Sequence, residues 1–127
     1  MKIDFVVPRY GPVGGAVNAV SALARRVAER PGWEVNLHAT CAHSSNTWAN
    51  VDTAGSAKVN ALSVHRYLVD SGRTEEWSVL DRRVQAGPSS IDTMTQDLFF
   101  RHQGPVSTAL ARAVSASHAD LVVFAPY

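Results

Sequence analysis

Apolar and polar residues follow two periods along this chain, and the switches between them predict a succession of strands and helices. Lys2-Ile3-Asp4-Phe5-Val6-Val7 is a short β-rich run closed by Pro8 and followed by the turn-prone Gly11-Pro12-Val13-Gly14-Gly15, so it reads as a strand entering a glycine-rich loop. From Ala16 to Glu29, Val17, Val20, Leu23, Ala24 and Val27 recur at helical steps, with Arg25, Arg26 and Glu29 on the other face. That pattern predicts an amphipathic helix, stopped by Pro31-Gly32. Trp33, Val35, Leu37 and Ala39 then alternate with Glu34, Asn36 and His38, which predicts a strand with one face better buried than the other. A strand, glycine loop, helix and strand form a βαβ unit, and such a unit argues for an α/β fold around a parallel sheet.

The second half extends the same pattern. Thr40 to Gly55 has no period and reads as a long loop, a feature that compact domains usually keep for function. Val59 to Val69, with Val64, Tyr67 and Val69, predicts a third strand with a short hairpin partner near Lys58. Thr74, followed by Glu75 and Glu76, suits a helix start, and Trp77, Leu80 and Val84 carry its apolar stripe to about Gln85. Gly87-Pro88 breaks the chain. Ser89, with Asp92 three residues on, resembles a helix cap ahead of Ile91, Met94, Leu98 and Phe99, and that helix is expected to end near Gly104-Pro105. Ser107 predicts a further cap, for a helix carrying Leu110 and Val114 to about His118. Leu121-Val122-Val123-Phe124 reads as a short strand of the kind buried on both faces in parallel sheets. In a doubly wound order it would lie beside the first strand as an uncovered apolar edge, which predicts that more protein normally follows.

Composition narrows the function. With 127 residues, 46% of them hydrophobic, the chain suffices for one domain with a core and is too short for two. Its 12 Lys and Arg nearly balance 11 Asp and Glu, for a net charge of +1, so no overall field draws it to nucleic acid or anionic lipid. No apolar run approaches the roughly 20 residues that span a bilayer, and charges in Met1-Lys2-Ile3-Asp4 stand where a signal peptide would be apolar. A soluble, cytoplasmic protein is expected. Cys41 is the single cysteine, so no internal disulfide is available, and His38 and His43 near it lack a fourth partner for a metal; none is expected.

The candidate chemistry gathers at the carboxyl edge of the predicted sheet. Gly14 and Gly15 stand where a strand turns into a helix N-terminus, whose unpaired N–H groups suit a diphosphate or a carboxylate; equally, they could serve only the turn. A nicotinamide site needs Gly-x-Gly-x-x-Gly and an acid ending the second strand, where this chain has Thr40, and a phosphate-loop Gly-Lys-Ser/Thr is missing. Arg9 and Tyr10 place a guanidinium beside a phenol just past the first strand. Trp48, with Asn46 and Asn50, offers an aromatic platform and amides for sugar hydroxyls, or else a loop anchor.

The segments Val7-Pro8-Arg9-Tyr10-Gly11-Pro12-Val13-Gly14-Gly15-Ala16, Thr40-Cys41-Ala42, Thr47-Trp48-Ala49-Asn50, Val64-His65-Arg66 and Gln103-Gly104-Pro105-Val106-Ser107 together resemble a bacterial branch of glycosyltransferase family four, in order and spacing over nearly the whole chain. The family often has a third glycine and a glutamate after the pair, where this chain reads Gly14-Gly15-Ala16-Val17-Asn18. The resemblance implies the N-terminal, acceptor-side half of a GT-B enzyme, in which two Rossmann-like domains face each other across a cleft. It implies transfer from a nucleotide sugar with retention of configuration, usually without a metal and with no cofactor. The donor would be gripped mainly by a C-terminal domain absent from this chain, so the chain alone would be inactive and no catalytic residue is assigned on it. Gly14 and Gly15 would meet the donor phosphate. Arg9, Tyr10, Thr40, Cys41, His43, Trp48 and Asn50 would line the acceptor side, toward a sugar, lipid-linked or polysaccharide acceptor, and peripheral membrane association is compatible with this. The competing reading is a non-catalytic α/β module that binds a small polar ligand or a partner protein.

Overall fold

The computed structural model describes all residues except Val13, Pro88, Ser90, Pro126 and Tyr127, so parts of the glycine motif, of the Gly87-Pro88 break and of the chain end lie outside the described residues. It is an α/β fold in the order β1 (Lys2–Val6), α1 (Gly15–Ala28), β2 (Glu34–Thr40), β3 (Gly55–Val59), β4 (Leu62–Tyr67), α2 (Glu75–Ala86), α3 (Thr93–Gln103), α4 (Thr108–Ser115) and β5 (Leu121–Phe124). The five strands form one sheet in the order β3-β4-β2-β1-β5. β4, β2, β1 and β5 run parallel and β3 pairs antiparallel to β4, so the sheet is mixed rather than purely parallel. The chain leaves β1 toward β2 and β4 and later returns to β1's other side with β5. This is a Rossmann-like order with a switch of direction beside β1.

One face is an apolar core. Ile3, Phe5 and Val7 of the first strand region, Val35, Leu37 and Ala39 of β2 and Leu62 and Val64 of β4 pack with Val17, Ala24 and Ala28 of α1. The helix buries Val17, Ser21, Ala24 and Ala28, a stripe rotated from the predicted one, because small side chains allow the close approach. Leu23, expected inside, is 53% exposed on the far side.

The other face departs from expectation. β2 is buried on both faces from Val35 to Thr40, because Asn36, His38 and Thr40 are covered as well. They join a polar network with Asp4. Asn36 donates to Asp4 Oδ1 at 2.9 Å, Ser117, just past α4, donates to Asp4 Oδ2, and His38 Nδ1 lies 2.9 Å from the Tyr67 hydroxyl. Burial pushes the Asp4 carboxyl up, but the Ser117 and Asn36 hydrogen bonds outweigh it and hold the group below its usual range. For His38, burial dominates and lowers the imidazole, so the ring is neutral near neutral pH.

The remaining elements follow their caps. Thr74 caps α2 and Ser107 caps α4, as their positions predict. α3 is capped by Asp92, whose carboxylate accepts from Thr95 N at 2.7 Å, so Asp92 takes the role expected of Ser89. α4 ends at Ser115, short of His118. β5 is an edge strand with Leu121 50% and Phe124 69% exposed, so it is not buried on both faces. No described helix is long and apolar enough to cross a membrane.

Candidate functional site

Loops from β1, β2 and β4 meet at the carboxyl edge of the sheet, beside the N-terminus of α1. Gly14 (φ 75°) and Gly15 (φ 58°) carry left-handed backbone, and a Cβ at either would meet nothing within 4 Å, so the pair opens the helix end to solvent. No side chain of the N-cap itself closes that end. The Asn18 amide lies 3.2 Å from both Gly11 O and Gly14 N, and the orientation that donates to the first and accepts from the second satisfies both. The first-turn N–H groups of α1 receive no side-chain cap from Gly14, an arrangement suited to an anionic oxygen.

The polar residues beside this turn are differently partnered than their sequence positions suggest. Arg9 does not sit over Tyr10: its Nη1 donates to His43 O at 2.7 Å and fastens the β1 and β2 loops together. Arg66, at the end of β4, takes the place over the Tyr10 ring, 5.2 Å from its centroid. Arg66 Nε also donates to Asp52 Oδ2 at 3.0 Å, and His43 Nε2 lies 2.9 Å from that same oxygen. Burial would raise the Asp52 carboxyl, but His43 and Arg66 outweigh it and hold it below the ordinary carboxylate range. An ionised carboxylate only accepts, so His43 Nε2 is the donor toward Asp52. His43, Asp52 and Arg66 are each about a quarter to a third exposed, which leaves them within a ligand's reach.

Other predicted residues turn out to be structural. Trp48 is 1% exposed and packs with Ala42 and Val69, while its Nε1 donates to Gln103 O at 3.0 Å; it anchors the loop and offers no stacking platform. Asn50 spends its amide on Val69, donating to its carbonyl at 3.0 Å and accepting from its N–H at 2.8 Å. Thr40 is buried, its hydroxyl donating to Pro8 O at 2.5 Å and accepting from Ala42 N. Cys41 is a buried free thiol that burial pushes up, so it is inert rather than nucleophilic. Among the described residues, no three His, Cys, Asp or Glu side chains stand close enough to hold a metal ion.

Sequence reasoning missed Asp52, the hub of the cluster. Nothing local marks it: it arrives because residues 42 to 50 close an arch, bridged between Ala42 and Asn50, and its N–H donates to Cys41 O at 2.9 Å. Arg66 did leave a trace, since it follows Leu62 and Val64 on the same strand face as a charge where the apolar alternation predicts another buried residue.

A second feature lies on the opposite side of the same edge. Between the ends of β1 and β5 and the start of α4, a cavity of about 560 Å3 is lined mainly by Val6, Pro8, Val106, Leu110, Phe124 and Ala125. It occupies the switch point of the sheet, where open α/β sheets bind ligands.

Fold and site together define a Rossmann-like α/β protein with a polar cluster, a glycine-opened helix end and an apolar cavity along one carboxyl edge. In comparisons with models of known protein families, with curated proteins and with solved structures, nothing matches this chain.

Proposed function

We propose that the chain is the acceptor-side domain of a retaining glycosyltransferase that works in the cytoplasm with a second, donor-binding domain. The observation that carries this reading is the convergence of the glycine-opened α1 terminus with His43, Asp52, Arg66 and Tyr10 at one sheet edge. In the reaction the bond from the sugar's anomeric carbon to the diphosphate oxygen breaks, its electron pair leaving with the nucleotide, and the acceptor hydroxyl oxygen forms the new bond while its proton passes to the departing diphosphate. The α1 N–H groups would bind diphosphate oxygens, and His43 and Arg66 would orient acceptor hydroxyls. The apolar cavity at the switch point suits the hydrocarbon portion of a lipid-linked acceptor. A buried, unpaired Cys41 agrees with a reducing compartment.

The exposed edge of β5 favours a second reading, a non-catalytic module that pairs this edge with a partner strand. Calorimetric titration of the chain with UDP-glucose and GDP-mannose separates the two. Weak saturable binding that disappears in G14A/G15A supports the transferase domain; no heat with either nucleotide sugar favours the module.

A further inference from the structure

Helix α2 packs chiefly on α3, through Trp77 stacked on Phe99 with centroids 6.2 Å apart and through Leu80 and Val84, which are half-buried. An adjoining stripe is exposed: Glu75, Glu76, Val79, Arg82, Arg83 and Ala86 are all solvent-facing, Val79 by 52%. These positions fall on one helical face. Two acids lead, two bases close, and the apolar Val79 stands at their midpoint. A stripe of this order is complementary to a copy of itself turned end for end. With a two-fold axis at Val79, Glu75 of each helix meets Arg83 of the other, Glu76 meets Arg82, and the two valines touch.

We infer that α2 is the self-association face of this protein, pairing antiparallel with α2 of a second copy to join two helical hairpins into a four-helix bundle. Antiparallel packing also opposes the two helix dipoles favourably. Acids first and bases last suit an isolated helix too. That explanation leaves Val79 and the adjoining cleft, about 400 Å3 between Val79, Leu80 and Leu98, without a role. A second copy covers both, and the near-balance of charge on the stripe selects neither a strongly acidic nor a strongly basic partner.

The test is sedimentation equilibrium of the 127-residue chain and its variants, with thermal melts to confirm that each is folded. The wild type is expected to move from the mass of one chain toward that of two as concentration rises, and to revert at high salt. E75K/E76K makes the stripe wholly basic and R82E/R83E makes it wholly acidic, so each alone should stay monomeric. Mixed in equal amounts, they should recover the dimer. V79K, which keeps all four charges, should also lose it. A wild type that is monomeric at every concentration, or variants that dimerise alone as well as the wild type does, would overturn the inference.

Discussion

Trp48 shows how one side chain can organise a functional edge without touching a ligand. It has a positive φ of 54°, lies buried between Ala42 and Val69, and holds the end of α3 through Gln103. Removing it empties the space beneath the loop that carries His43 and Asp52, and Trp48→Ala is expected to cost about 3–5 kcal/mol, read as a lower denaturant midpoint. A change under about 1 kcal/mol would show that the loop stands without its anchor. Gly72 is needed for the same contact, because a Cβ there would run into the Thr47 carbonyl oxygen and the Trp48 side chain. Gly72→Ala should therefore destabilise by about 1–3 kcal/mol, measured in the same way. His38 supplies the pH dependence. Its folded-state pKa is lowered, so the fold prefers the neutral ring, and this preference is fully present above the unfolded value of roughly 6.5. Stability should fall as pH drops from about 6.5 toward the lowered folded value, and His38→Gln should flatten that part of a melting-temperature profile. An equally steep profile in the variant would place the titration elsewhere.

At the scale of elements, the strands and helices were legible because each declares itself locally. The 3.6-residue stripe gave α1, Thr74 and Ser107 marked their helices by capping, and Leu121-Val122-Val123-Phe124 marked β5. What stayed hidden depends on neighbours distant in sequence. The polarity of β2's second face could not be separated from solvent exposure, since Asn36 and His38 read as surface residues until Asp4, Tyr67 and Ser117 are brought against them. Trp48 and Asn50 looked like sugar ligands because aromatic rings and amides serve equally to pin a loop, and only the chain's return at Val69 and Gln103 decides between the roles. The glycine turn was legible in position. Its consequence is that G14A/G15A forces a side chain onto positive-φ backbone at both positions, Gly14 (φ 75°, ψ 175°) lying in a region nearly confined to glycine, at a cost of roughly 1–3 kcal/mol per residue. The variant is expected to stay folded while α1's first turn frays, visible as faster amide exchange at Ala19 and Val20, which are among the first donors of the helix's own hydrogen-bond ladder. Unchanged exchange would mean that neither position needs glycine's backbone freedom.

At the scale of the whole molecule, the strand order puts the His43–Asp52–Arg66 cluster and the apolar cavity at one end. β1 stands between β2 and the edge strand β5: its carboxyl end feeds the glycine turn on the α1 side, while Val6 and Pro8 wall the apolar cavity on the α4 side. A ligand with both a charged and an apolar part could thus straddle Pro8 and Thr40, which bind each other through the Thr40 hydroxyl. Under the proposed function, this edge is where the protein meets a nucleotide sugar and its acceptor. The most direct measurement is a 1H–15N NMR titration with UDP-glucose, following the backbone amides. Saturable shifts are expected at Tyr10, Gly14, Gly15, Ala16, His43, Asp52 and Arg66, with the far turn between β3 and β4 at Asn60 and the α2–α3 pair unmoved. Shifts confined to those distant elements, or none at all, would contradict the proposed function.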